Sequence, residues 1–285
     1  MATNMKAVKQ RIKSVQSTMQ ITKAMELVAS SKLRKAKDRA DTCRPYFHSL
    51  YETLEKISME NTDNASKYVS GIDNKKICYC MIAGDRGLAG GYNSNVFKRL
   101  EKASAGKEFA VLPIGKKAVE YCRKKGIEIV SEKYAEVADI GVGDCFTIAN
   151  SLCRMYRDGE FGHVELCYTN FVTMLTQQTS VFPILPLREL ADPDKERPVV
   201  KELMIYEPDS ITVFDAIVPE YMAGFIYGAV CESIASELAS RRNAMDAASK
   251  NAGEMIGKLN LYYNRARQAN ITQEITEIIA GSEGV

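Results

Sequence analysis

The stretch that decides the fold is Val8–Ala36, VKQRIKSVQSTMQITKAMELVASSKLRKA. Its seam residues Val8, Ile12, Val15, Met19, Thr22, Glu26, Ala29, Leu33 and Ala36 fall at alternating steps of four and three, and the rhythm runs on through Ala40, Cys43, Phe47, Leu50, Leu54 and Ile57. The far end of the chain repeats it, in Ile234, Leu238, Arg241, Met245, Ala248, Ala252, Met255, Leu259, Tyr262, Ala266 and Ala269. A 3.5-residue repeat sustained this long belongs to helices that supercoil around a partner. The two ends are expected to pair with each other as a rod, with the middle of the chain as its head.

The first helix is expected over Asn4–Ser58, about 80 Å long at about 1.5 Å per residue. Pro45 predicts a kink or local irregularity there. The polar segment Met59–Lys75 reads as a connection. From Lys76 the period changes. Lys76–Ala83 and Glu108–Ile114 have strand composition; Asn95–Ser104, Lys116–Lys125 and Asp144–Arg157 read as helices. Ile127–Val130 suggests a short strand, and His163–Val172 with Gln178–Leu187 suggests a pair of longer ones joined by a turn. Strands alternating with helices of this length argue for βαβ units on a mostly parallel sheet, the last strand adding an antiparallel edge. Arg188–Pro208 is the return linker, and a final helix follows, with Pro219 placed where a helix start tolerates it. The domain organisation expected is 1–58, 76–190 and 209–285.

The N-terminal seam is apolar apart from Thr22 and Glu26, and the C-terminal seam carries one charge, Arg241. A lone charge in a seam is costly, so the two are expected at one level. Facing residues would then have numbers adding to about 267, as 26 and 241 do. That register sets Ile57 opposite Ser210 and leaves the chain from Arg267 onward without a partner. Ile271, Ile275, Ile278 and Ile279 punctuate this overhang, an apolar surface that calls for a covering protein.

With 285 residues and a net charge of +2, the chain is large enough for one or two cores and is not generally nucleic-acid-binding. Its charge is uneven, with twelve Lys or Arg against five Asp or Glu over Met1–Ser58. Lys32, Arg34, Lys35, Lys37 and Arg39 are the densest run, suited to an acidic partner or to simple solvation. No run of about 18 uninterrupted apolar residues points to a membrane span. The eight cysteines form no CxxC and have only His48 and His163 for company, which argues against zinc and for reduced, buried thiols. Gly84–Gly91 follows a strand and precedes a helix, as phosphate loops do, but it reads GxxGxxGG and lacks the Lys-Ser/Thr of a P-loop. A tight turn with a subunit contact is the favoured reading. Asp85 and Arg86 have no catalytic constellation around them in sequence.

Three segments resemble one family, the gamma subunit or central shaft of bacterial F-type ATP synthase. Arg265–Gly281, RARQANITQEITEIIAG, resembles its C-terminal signature through Ile271, Thr272, Glu274, Glu277 and Gly281, with Ser282 where Ala is usual. Ile21–Lys35 resembles its N-terminal helix, and Gly84–Asn93, GDRGLAGGYN, resembles its third motif, with Ala89 at a position often Cys.

The resemblance implies a noncatalytic rotor without cofactor or metal. Its antiparallel two-helix coiled coil would sit within a ring of three alpha and three beta subunits. Its central Rossmann-like α/β domain would meet the epsilon subunit and the membrane c ring, with delta reached only indirectly. Rotation driven by transmembrane ion flow would be coupled to ATP synthesis, or hydrolysis run backwards, at the cytoplasmic face of the bacterial plasma membrane. By motif match, Met25, Glu26, Lys32, Arg34, Lys35, Arg241, Gln268, Thr272 and Glu277 would contact the alpha/beta head, and Asp85, Arg86 and Asn93 epsilon or the c ring. The regulatory cysteine-pair insertion of the chloroplast form is not found. Two other classes remain in the sequence: an α/β enzyme with a helical arm, or a coiled-coil scaffold for RNA or anionic lipid.

Overall fold

The computed structural model describes residues 5–60, 66–187 and 205–283, with the backbone alone at 40, 43, 44, 47, 59, 60 and 281–283. Residues 188–204 of the expected linker Arg188–Pro208, residues 61–65 of the expected connection Met59–Lys75, the seam side chains Ala40, Cys43 and Phe47, and those of Gly281 and Ser282 lie outside the described residues. Packing divides the chain into two compact units, Met1–Ser30 with Arg241–Val285, and Ser31–Ser240. Helices α1 (Met5–Glu60) and α6 (Ser210–Glu283) contribute to both. Pro45 and Pro219 lie inside these helices. Pro219 is therefore not at a helix start; the bond its missing N–H forgoes is one among the many that a helix of 74 residues makes.

In the first unit the N-terminal seam is as expected. Thr22 and Ala29 are buried, and Val8, Ile12, Val15, Met19 and Glu26 are half-buried at the same spacing. The α6 stripe differs by a phase. Met245 and Ala252 are buried as expected, but Met255, Tyr262 and Ala269 are exposed, and Ile256, Tyr263 and Asn270 turn inward instead. The cause is Ser249, whose Oγ lies 2.7 Å from the Thr22 hydroxyl. With Ser249 in the seam, the steps of four and three run 245, 249, 252, 256, 259, 263, 266, 270.

The same contact corrects the register. Facing numbers add to about 271, as 22 and 249 do, and Met19 lies beside Gly253. Glu26 is thus level with Met245 and Arg241 with Ser30, about one helical turn from the expected 267 register. Glu26 lies within electrostatic reach of Lys250, itself paired to Asp246 at 2.8 Å. Cysteines at 22 and 249 are expected to form a disulfide under mild oxidation faster than cysteines at 26 and 241, read by non-reducing gel mobility. Preferential crosslinking of the second pair would restore the 267 register.

The second unit is an α/β domain. Its elements are α2 (Lys67–Ser70), β1 (Ile77–Ile82), α3 (Tyr92–Ser104), β2 (Phe109–Ile114), α4 (Lys116–Lys125), a 3₁₀ turn (Val137–Asp139), α5 (Val142–Arg157), β3 (His163–Phe171) and β4 (Gln177–Leu185). The sheet order is β2-β1-β3-β4, with β1 parallel to both β2 and β3, and β4 antiparallel to β3. The expected strand at Ile127–Val130 reduces to a single bridge between Ile129 and Val111. Two main-chain hydrogen bonds, Val111 N to Glu128 O and Val130 N to Val111 O, hold it at the sheet edge without a ladder.

β1 is buried throughout because both its faces are covered. Cys78, Cys80 and Ile82 meet one core with α5, with Leu54 and Ile57 of α1, and with Phe214, Val218 and Met222 of α6. Ile77, Tyr79 and Met81 meet the other, with Val96 and Leu100 of α3 and Ala118 and Cys122 of α4. The two strand prolines, Pro113 in β2 and Pro183 in β4, both fall on edge strands, where a missing N–H costs no central ladder bond. One stretch of α6 is long and apolar enough to cross a membrane, but half of it is buried inside the protein, as in a core helix.

The seven described cysteines outside Cys43 are buried and free of disulfides. Burial pushes the thiols of Cys78, Cys122, Cys145 and Cys167 up to about 12, which keeps them protonated and unreactive at neutral pH.

Candidate functional site

The candidate residues lie on three surfaces. On the first unit, Met25 and Glu26 are half-buried on α1, Arg241 is half-buried on α6, and Gln268, Thr272 and Glu277 are exposed on the last turns of α6. There the helix supports itself. The Thr272 hydroxyl donates to Gln268 O at 2.9 Å, and Gln273 donates to Glu277 Oε1 at 2.9 Å. Every residue from 271 to 280 is exposed, including Ile271, Ile275, Ile278 and Ile279. In the 271 register Met5, the first described residue, lies level with Ala266, so the described part of α1 does not reach this segment.

On the second unit, Lys32, Arg34 and Lys35 are exposed on α1, while Leu33 and Ala36 of the same turn are buried. Lys37 places its Nζ 5.3 Å from the Phe171 ring centroid, a cation–π contact that fixes one member of the basic run.

The Gly-rich turn after β1 is the third surface. Asp85 is spent inside the domain, where Oδ1 accepts from Val137 N at 2.9 Å and Lys116 N at 3.2 Å, and Oδ2 from Ala138 N at 3.2 Å. Asn93 likewise closes its own loop, accepting from Gly84 N at 2.9 Å and donating to Arg86 O at 3.3 Å. What the turn offers outward is Arg86 and Leu88, and Leu88 is 66 % exposed at φ 61, a left-handed conformation unusual for a branched residue.

The turn is unsuited to phosphate. Its Gly84 N–H is already bonded to Asn93, and the Glu237 carboxylate of α6 lies so close that a Cβ on Gly84 would fall 2.7 Å from it. A negative group fills the place an anion would need. Tyr92, the first residue of α3, is buried beside Glu237, and its phenol is raised by burial first and by that carboxylate second. Among the described residues no cluster of His, Cys, Asp or Glu could hold a metal. Glu237 was not legible as part of this turn; in sequence it is one more Glu on a long helix.

A family profile described as ATP synthase matches residues 4–285. The ATP synthase gamma chain of Ruminococcus albus is 47 % identical, over 98 % of each chain. The chain belongs to the ATP synthase gamma-chain family. It is thereby a central-stalk subunit of F-type ATP synthase, a membrane-associated complex. A second gamma-chain relative, described as sodium ion specific, comes from Acetobacterium woodii and is 38 % identical over the whole of both chains. Two solved structures share the fold. The Tetrahymena thermophila mitochondrial central stalk gives a TM-score of 0.60 at 24 % identity, covering 80 % of this chain and 99 % of that one. A chain of the Euglena gracilis mitochondrial F1/c-ring assembly gives 0.67 at 16 % identity, covering 98 % and 94 %.

Proposed function

We propose that this gamma chain is a noncatalytic shaft, turning within three alpha and three beta subunits and seated through its α/β domain on epsilon and the c ring. Delta is engaged only indirectly, and nucleic acid is no partner. The complex it serves lies on the cytoplasmic face of the bacterial plasma membrane, and the choice of ion belongs to the ring. The observation that carries this reading is the end of α6, where ten consecutive exposed residues include four isoleucines. Such a helix end suits a surrounding sleeve of protein.

The candidate contact residues also suit rotation. Met25, Glu26, Arg241, Gln268, Thr272 and Glu277 in one unit, and Lys32, Arg34 and Lys35 in the other, are mostly charged or polar. Exposed ion pairs are worth about 0–1 kcal/mol each, so a shaft held by them is not trapped at one angle as an aromatic hot spot would trap it. On the Gly-rich turn Arg86, with Leu88, is the contact toward epsilon or the c ring, and Asp85 and Asn93 hold the turn in shape for it.

Replacing Lys32, Arg34 and Lys35 together by Gln is expected to lower ATP-driven ion pumping in membrane vesicles while the chain still folds, since all three are exposed. Pumping unchanged from the parent complex would count against these contacts. Recovery of the chain from native membranes with no alpha or beta subunits attached would count against the reading as a whole.

A further inference from the structure

β1 ends at Ile82, and its last pairing with β3 is Met81 with Cys167. Two residues further along β3, Thr169 therefore has no strand on that side. It is only 2 % exposed, so an unpaired main-chain N–H and C=O there would be costly. Helix α6 supplies what the missing strand does not. Thr169 N donates to Ser233 Oγ at 3.3 Å, and Ser236 Oγ donates to Thr169 O at 3.2 Å. Both serines are essentially inaccessible to solvent.

The seam extends in both directions. The Thr169 hydroxyl meets that of Thr179 on β4 at 3.2 Å, and one helical turn beyond Ser236 the Ser240 hydroxyl donates to Gln177 Oε1 at 3.0 Å. On the other flank, Tyr92 is buried beside Ser233, Thr169 and Glu237, and the Glu237 carboxylate presses against Gly84. Residues 233, 236, 237 and 240 form one stripe of the helix, polar among apolar neighbours such as Val230 and Ala235.

Apolar contacts are non-directional and tolerate sliding, whereas hydrogen bonds to fixed main-chain groups admit one register. We infer that Ser233 and Ser236, bonded to the Thr169 main chain, are positioning residues that lock α6 to the sheet, so that torque received by the α/β domain enters α6 without slip. This rests on the shaft reading above. Glu237 against Gly84 and Ser240 against Gln177 are the flanking stops.

The test is Ser233→Ala with Ser236→Ala in the complete membrane-bound complex, beside each single substitution and the parent. Ions pumped per ATP hydrolysed are measured first without an opposing gradient and then against increasing ones. In the double variant the ratio is expected to fall severalfold, with the deficit growing with the opposing gradient and ATP hydrolysis retained. A purely structural role would instead reduce assembly, or lower both activities together at every load. A parent-like ratio at every load in assembled complex overturns the seam and leaves the shaft reading intact. Should the double variant not assemble, the single variants decide: a graded deficit supports the seam and a flat ratio overturns it. A parent complex that hydrolyses ATP but pumps nothing overturns the shaft reading and the seam with it.

Discussion

Gly115→Ala is expected to destabilise the α/β domain severely. Gly115 joins β2 to α4 at φ +100, a region that L side chains rarely enter. A Cβ there would lie 2.1 Å from Ala83 O, a main-chain atom at the end of β1 that has no flexible side chain with which to yield. Relief would mean moving β1 or the turn, and both are tied. Ala83 N donates to Ile114 O at 2.9 Å, and Gly115 N donates to Tyr134 O at 3.0 Å. Backbone strain of about 1–3 kcal/mol plus the clash gives roughly 3–5 kcal/mol, a large part of the roughly 5–15 kcal/mol that holds a domain folded. The urea midpoint of the purified chain should fall accordingly. Gly87→Ala is the control, since a Cβ there meets nothing within 4 Å. Equal midpoints for the two variants would disprove the steric argument.

Tyr156→Ala is the second large effect, reached through the core. Tyr156 on α5 is fully buried, its ring stacks on Tyr68 at a centroid distance of 5.9 Å, and its hydroxyl donates to Lys67 O at 3.3 Å. Truncation removes the ring from the junction of α5 with α2 and leaves a cavity, at about 3–5 kcal/mol. Tyr156→Phe keeps the ring and forfeits a hydrogen bond, at about 1 kcal/mol. The ordering of thermal midpoints should be parent, Phe, then Ala well below. Ala and Phe variants of equal stability would mean that the ring contributes nothing beyond its hydroxyl.

The two long helices were legible because their period persists over many turns, and the sheet because its strands are short apolar runs set between helices. Local pattern could not settle the phase of the α6 seam. Ala248 is the more apolar neighbour, but Ser249 is the residue that faces α1, because Thr22 across the seam offers it a hydroxyl. The same limit hid the functional detail. Ser233, Ser236 and Glu237 read as ordinary polar positions on a helix, and only the end of β1, some 150 residues earlier in the chain, makes them necessary. The register erred for a related reason. Matching Glu26 to Arg241 assumed that each charge needs the other, and the hydroxyl pair sets the level instead. Asp85 looked available in sequence, but it is consumed by main-chain amides of segments distant along the chain.

The prolines at the two borders of the sheet have a consequence for life inside a crowded machine. A border strand with a full row of N–H and C=O groups invites any extended segment to add itself as a further strand. Pro113 and Pro183 interrupt that row on either side. Addition of a further strand is thereby discouraged at both borders, which leaves side chains, with contacts that can let go, as the means of holding this domain. A part that has to keep turning cannot be sewn by its backbone to its surroundings.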